Sequence, residues 1–204
     1  MHLLDNSPPN ITQNRCVAEE EPSTAVGLAV AEVTDTDALE LPPLYEVLDP
    51  DALNQLFADE PRSNRSGEAQ ITFPFEDCWI AVWLDDGITV VPQEELNVSP
   101  APSQREVYQA KHEWTAVSSF SITLLQALKE FSQQRDLTYP VPLTKIIDLD
   151  SLDRLFAPID EQSRRDAGWL SFSVDGFRIT VEASGQIKFD HASRPSSERG
   201  NNGW

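Results

Sequence analysis

Apolar residues recur at steps of three and four along one stretch of the chain: Phe120, Leu124, Ala127, Leu128 and Phe131. That spacing predicts an amphipathic helix. A shorter stretch of smaller residues, 25–33, reads the same way. Elsewhere the period drops to two. Ile71, Phe73 and Phe75 alternate with Thr and Pro, and Leu170, Phe172 and Val174 alternate with Ser. Each trio predicts a strand with one buried face. Glu76-Asp77 and Asp175-Gly176 follow as hairpin turns. Second strands are expected over 78–84 and 177–183. Turns at Asp85-Asp86-Gly87 and Ser184-Gly185 lead to third strands over 88–91 and 186–189. Ahead of each meander, Asp49-Pro50-Asp51 and Asp148-Leu149-Asp150 open a short helix. Asp49 and Asp148 are placed as N-cap acceptors, with Pro50 at the first helical position.

These patterns come in pairs because the chain repeats itself. Residues 43–58 lie over 142–157 at an offset of 99, and eight of sixteen positions are identical. Chance would give about one. Upstream, 29–34 resembles 127–132. Downstream, Ile71, Phe73, Ile80 and Val82 lie over Leu170, Phe172, Ile179 and Val181. Each unit therefore reads as helix, short helix and three-stranded antiparallel meander, an α+β fold with helices on one sheet face. The expected organisation is a flexible tail 1–22, a first repeat 23–91, a linker 92–115 rich in Pro, Ser and Glu, a second repeat 116–190, and a flexible tail 191–204.

The charge narrows the environment. Fifteen Lys and Arg face thirty-four Asp and Glu in 204 residues, for a net charge of −19. Lysine is scarce: Lys111, Lys129, Lys145 and Lys188. Acid excess of this kind reads either as disorder or as adaptation to very high salt. The periodic apolar segments favour the salt reading. The same charge argues against electrostatic binding to nucleic acid or acidic membrane. No apolar run is long enough to span a bilayer, and residues 1–16 lack the features of a secretory signal, so a cytoplasmic location is expected.

The stretch Leu41-Pro42-Pro43-Leu44-Tyr45-Glu46-Val47-Leu48-Asp49-Pro50-Asp51-Ala52-Leu53-Asn54-Gln55-Leu56-Phe57 closely resembles the haloarchaeal output domain, type one. The likeness runs on through the strand after Gly67 to the turn at Gly87. The second copy keeps Pro142, Asp148, Asp150, Leu152, Leu155 and Phe156. It departs at Val141, Thr144 and Leu149, so it resembles a diverged copy. The resemblance implies a signalling or regulatory role in a haloarchaeal cytoplasm, with receiver or sensor modules as partners. It supplies no catalytic residues to carry over.

The chemistry-bearing residues point the same way. No phosphate loop, nucleophile elbow or zinc-protease motif is present, so no catalytic, cofactor-binding or metal-binding residue is assigned. His2, His112 and His191 read as solvated residues of tails and linker. Cys78 reads as core, Cys16 has no partner spacing, and Glu19-Glu20-Glu21 reads as a solvated tail. Sequons at Asn10, Asn64 and Asn97 are chance matches for a cytoplasmic chain. One asymmetry stands out. Trp79, Ala81 and Trp83 share a strand face whose second-copy equivalents are Arg178, Thr180 and Glu182. The two tryptophans either pack against the second copy, the long helix or the linker, or form a partner surface. The leading expectation is a non-enzymatic signalling output or adaptor module with pseudo-symmetric repeats, acting by protein–protein contact. The alternatives are a transcription-associated regulator contacting DNA, which Arg164-Arg165 alone would support poorly, and a small-molecule sensor binding between the repeats.

Overall fold

The computed structural model of the chain describes residues 15–16, 20–56, 69–83, 87–93, 106–114, 119–135, 143–159, 165, 167–174 and 176–191. The first repeat contains β1 (Arg15–Cys16), α1 (Pro22–Thr34), a 3-10 turn at Leu44–Glu46 and α2 (Pro50–Leu56). Its meander is β2 (Ala69–Phe75), β3 (Cys78–Trp83) and β4 (Gly87–Pro92). The second repeats this order with β5 (Glu106–Lys111), α3 (Phe120–Arg135), a 3-10 turn at Leu143–Lys145 and α4 (Leu149–Leu155). β6 (Trp169–Val174), β7 (Phe177–Glu182) and β8 (Gln186–His191) complete it.

The helices bury the faces their sequences present. Phe120, Leu124, Ala127, Leu128 and Phe131 are the apolar side of α3, and Ala25, Val26, Ala29 and Val30 that of α1. They pack on one face of the sheet with Ile71, Phe73, Ile80, Val82, Leu170, Phe172, Ile179 and Val181, in one continuous core. The α+β class and the tandem meanders are as the sequence predicts.

The two units are not beads on a string. Their strands form one eight-stranded antiparallel sheet in the order β1-β4-β3-β2-β6-β7-β8-β5. At its centre β2 pairs with β6, and Ile71 faces Leu170. Those two residues are also repeat equivalents. A pseudo-twofold axis therefore passes between them, as in an isologous dimer. The helix layer obeys the same axis. Asp49 N donates to Leu155 O at 3.1 Å, and Asp148 N donates to Leu56 O at 3.0 Å. These bonds set α2 and α4 antiparallel, each N-terminus against the other's C-terminus, where their dipoles attract.

Three sequence expectations change. The stretch 92–115 is not only a linker, since β5 lies within it and pairs with β8. Its Tyr108 and Ala110 pack against the core. The tails expected over 1–22 and 191–204 give up Arg15–Cys16 to β1, Pro22 to α1, and His191 to β8. Nor is His112 solvated. It continues the alternation of Tyr108 and Ala110 onto the core face and is only 2% exposed. His2, the three sequons, Leu84, the turn residues Asp85, Asp86 and Asp175, and the loop 59–68 lie outside the described residues, as does the side chain of Cys16.

Candidate functional site: the open sheet face

Helices cover one face of the sheet, so alternate residues of every strand point the other way. In the first repeat that open face carries Trp79, Ala81 and Trp83 on β3, with Val91 opposite Trp79 on β4. Trp83 is 40% exposed; Trp79 and Ala81 are half-buried. In the second repeat the face is polar: Arg178, Thr180 and Glu182 on β7, and Lys188 on β8. Lys188 Nζ meets Glu182 Oε1 at 2.6 Å. The boundary between the halves is marked by Trp169 on β6, whose ring centroid lies 5.5 Å from that of Trp79. Trp79 thus touches the second repeat, while Trp83 points to solvent. Trp169 occupies the position of Gln70 in the first repeat, and comparing those two first strands is the signal that locates it.

Asp49 and Asp148 sit at the starts of α2 and α4. Asp49 Oδ1 accepts from Ala52 N at 2.9 Å, and Asp148 Oδ1 accepts from Ser151 N at 2.6 Å. Each cap contributes about 1 kcal/mol. Both also face the partner repeat through their own amides. They act as structural pins, remote from the open face.

A second pair of caps was not anticipated. Asn54 Oδ1 accepts from Ser23 N at 2.9 Å, closing the start of α1 from α2. Its equivalent Asp153 accepts from Ser121 N at 2.6 Å and from Ser121 Oγ at 2.8 Å, and also from Ser119 Oγ, closing the start of α3. The signal was an acceptor at one repeat position in both copies, Asn54 over Asp153.

Arg165 is buried, not part of a basic patch. Its Nη2 donates to Tyr45 O at 2.9 Å and its Nη1 to Ala157 O at 2.8 Å, and its guanidinium lies 4.8 Å from the Tyr45 ring centroid. It clamps the second repeat to the 3-10 turn of the first. Burial lowers its pKa and the charge of Asp49 opposes that. Arg164 lies outside the described residues.

His112 Nδ1 is 2.8 Å from Thr123 Oγ1, and Nε2 finds no hydrogen-bond partner among the described residues. Burial pushes the imidazole pKa below its ordinary 6.5, partly offset by Asp153. The unfolded chain therefore binds the proton more tightly. Stability is complete above about pH 6.5 and falls as the pH drops from there through the folded-state pKa. His112→Phe is expected to flatten the dependence of stability on pH between 7 and 5, read by denaturant titration at constant molar salt. An equal slope in both proteins would remove His112 as its source. Burial also raises the Cys78 thiol, aided by Asp77 and Glu76, and Cys78 is in the core as the sequence predicts.

Among the described residues no group of three or more His, Cys, Asp or Glu could hold a metal ion. None of their helices is long and apolar enough to cross a membrane. The sequence model of halobacterial output domain 1 matches residues 18–92 and again 117–191. The chain belongs to this family. It carries the domain twice, and each match runs from the start of the long helix region to the end of the meander. No curated protein and no solved structure gives a match. Membership in the halobacterial output domain 1 family makes this a tandem signalling output domain of the halophilic archaeal type. The structure adds that its two copies share one sheet.

Proposed function

We propose that the protein is a non-enzymatic output or adaptor module of a halophilic archaeon that binds a signalling protein through the open face of its first repeat. The observation that supports this reading is the asymmetry of that face. The fold needs both copies to be apolar toward the helices. It does not need Trp83 on the solvent side, and the second copy has Glu182 at the equivalent place. Large aromatic side chains exposed on a soluble domain are typical anchors of protein contacts. Receiver or sensor modules are the partners consistent with the family. The pseudo-dyad seam itself is taken up by β2–β6 pairing and by α2 against α4, which disfavours a ligand site there.

The test is titration of the protein with purified haloarchaeal receiver and sensor modules at molar salt. One is expected to bind, and Trp83→Glu is expected to weaken it at least tenfold, about 1.4 kcal/mol or more. Because Trp83 points to solvent, its substitution leaves the fold intact, unlike a change at Trp79. Binding that ignores Trp83→Glu would move the contact elsewhere. No binding by any module would overturn the adaptor reading.

A further inference from the structure

The last strand of the sheet, β5, has β8 as its one neighbour among the described strands. Its end is held by a single titratable side chain. His112 follows Tyr108 and Ala110 on the core face, and three elements meet on it. Its N donates to Gly185 O at 2.8 Å, in the turn between β7 and β8. Its Nδ1 lies 2.8 Å from Thr123 Oγ1 on α3. Its ring centroid is 4.8 Å from those of Trp114 and of Phe120. Trp114 Nε1 in turn donates to Ala183 O at 2.9 Å, beside the same turn.

The pocket suits a neutral ring. An imidazolium has two N–H donors. Thr123 can take one, and Nε2 has no hydrogen-bond partner among the described residues. The surrounding charges do little for a proton there. On its own strand, Lys111 and Glu113 are exposed. On α3, Lys129 is exposed and Glu130 accepts from the Tyr108 hydroxyl. Past the turn, Glu182 on β7 is paired with Lys188 on β8, on the open face. From α4 Asp153 attracts the proton, but its oxygens already accept from Ser121 N, Ser121 Oγ and Ser119 Oγ. Burial outweighs that attraction and lowers the imidazole pKa. A buried charge without a full set of partners is relieved by reaching water. An edge strand can do so without breaking any other strand pair.

We infer that proton uptake by His112 releases β5 and Trp114 from the edge of the sheet while the rest of the fold holds. The strand is then an acid-operated flap. Its departure bares Phe120, which His112 and Trp114 flank, and Phe131 and Phe189, which the Tyr108 ring flanks. The sign follows from linkage. In the open flap the imidazole regains its ordinary 6.5, above its value in the closed one, so the proton favours opening. Opening therefore grows as the pH falls below 6.5 and levels off below the closed-state pKa. The inference does not depend on what binds at Trp83.

The test is amide hydrogen exchange of the full-length protein at molar salt, corrected for the intrinsic effect of pH on exchange. Ala110, paired with Ile187 on β8, reports on the flap, and Ile71 and Leu170 report on the centre of the sheet. Between pH 8 and pH 5 the protection of Ala110 is expected to fall severalfold, up to about thirtyfold, while Ile71 and Leu170 keep theirs. In His112→Phe the Ala110 protection is expected to be the same at both pH values. Unchanged Ala110 protection in the wild type would overturn the flap. So would an equal loss at Ile71, which would mean that the whole fold opens. The same loss in His112→Phe would assign the proton to another group, such as His191 at the other end of β8. A second measurement needs no variant: the ring signals of His112 are followed by NMR across the same pH range. A folded-state pKa at or above 6.5 would equally reject the flap.

Discussion

Replacing Ile71 by Ala is expected to unfold both repeats in one transition, at a cost of about 3–4 kcal/mol. Ile71 is fully buried and stands beside the pseudo-dyad, facing Leu170 on β6 and Val82 on β3. The truncation removes apolar contacts and leaves a cavity where two repeats meet, in a sheet with no slack to close it. Leu170→Ala removes the equivalent side chain from the other copy, so its cost is expected to match closely. Cooperativity follows from shared parts. Each short helix donates its N-cap amide to the other's last turn, and one core runs under both meanders. Each repeat alone is near the lower size limit for independent folding, so neither has much stability to keep. Denaturant titration at molar salt, followed through probes in each repeat, reads the result. A two-step curve in which the second repeat keeps its wild-type midpoint would show that the repeats fold separately.

The parts of this architecture that were legible in the sequence are those fixed by local pattern. The three-and-four spacing of α3, the alternation of β2 and β6, and the Asp49 and Asp148 caps need only a few neighbouring residues to be seen. The repeat was also legible, because identity at a fixed offset survives divergence. What was hidden depends on distant partners. β5 carries the alternation Tyr108, Ala110, His112, but it follows a stretch rich in Pro, Ser and Glu and precedes its helix, so the pattern reads as linker. β1 is two residues long, too short for any periodicity. The fusion of the two sheets rests on a β2–β6 register spanning the repeats, and nothing local to either strand specifies it. Arg165 illustrates the same limit: one arginine of an Arg-Arg pair in a polar loop becomes a buried clamp only because Tyr45, far away in sequence, arrives beside it.

The open face was half legible. The contrast of Trp79, Ala81 and Trp83 with Arg178, Thr180 and Glu182 is a comparison of equivalent strands, available without coordinates. Trp169 was not drawn into it because it sits on a different strand, opposite Thr72, and meets Trp79 only across β2. The aromatic surface divides into Trp79, spent on the boundary between repeats, and Trp83, which keeps its exposure.

Gly185→Ala is expected to cost about 3–4 kcal/mol and to release β5 from the sheet. Gly185 adopts φ 88, where a Cβ is strained, and an added Cβ would lie 2.3 Å from His112 O. Backbone cannot yield there without breaking the bond from His112 N to Gly185 O, 2.8 Å in the native fold. That bond ends the ladder between β5 and β8. Farther along the same strand pair, Phe189 stacks on Phe131 at 4.8 Å and meets the Tyr108 ring at 5.3 Å. Tyr108 in turn donates to Glu130 Oε2 at 2.7 Å, which pushes its hydroxyl pKa up to about 12. Loosening the corner therefore unpacks the face that α3 shares with β5. Gly176→Ala supplies the control. Gly176 has a similar φ of 81 and nothing within 4 Å of an added Cβ, so only the backbone strain applies, about 1–2 kcal/mol. Hydrogen exchange should show β5 amides losing protection in Gly185→Ala and keeping it in Gly176→Ala. Equal stability losses, with β5 protected in both, would mean that the His112 carbonyl gives way freely and that this corner does not hold the edge strand.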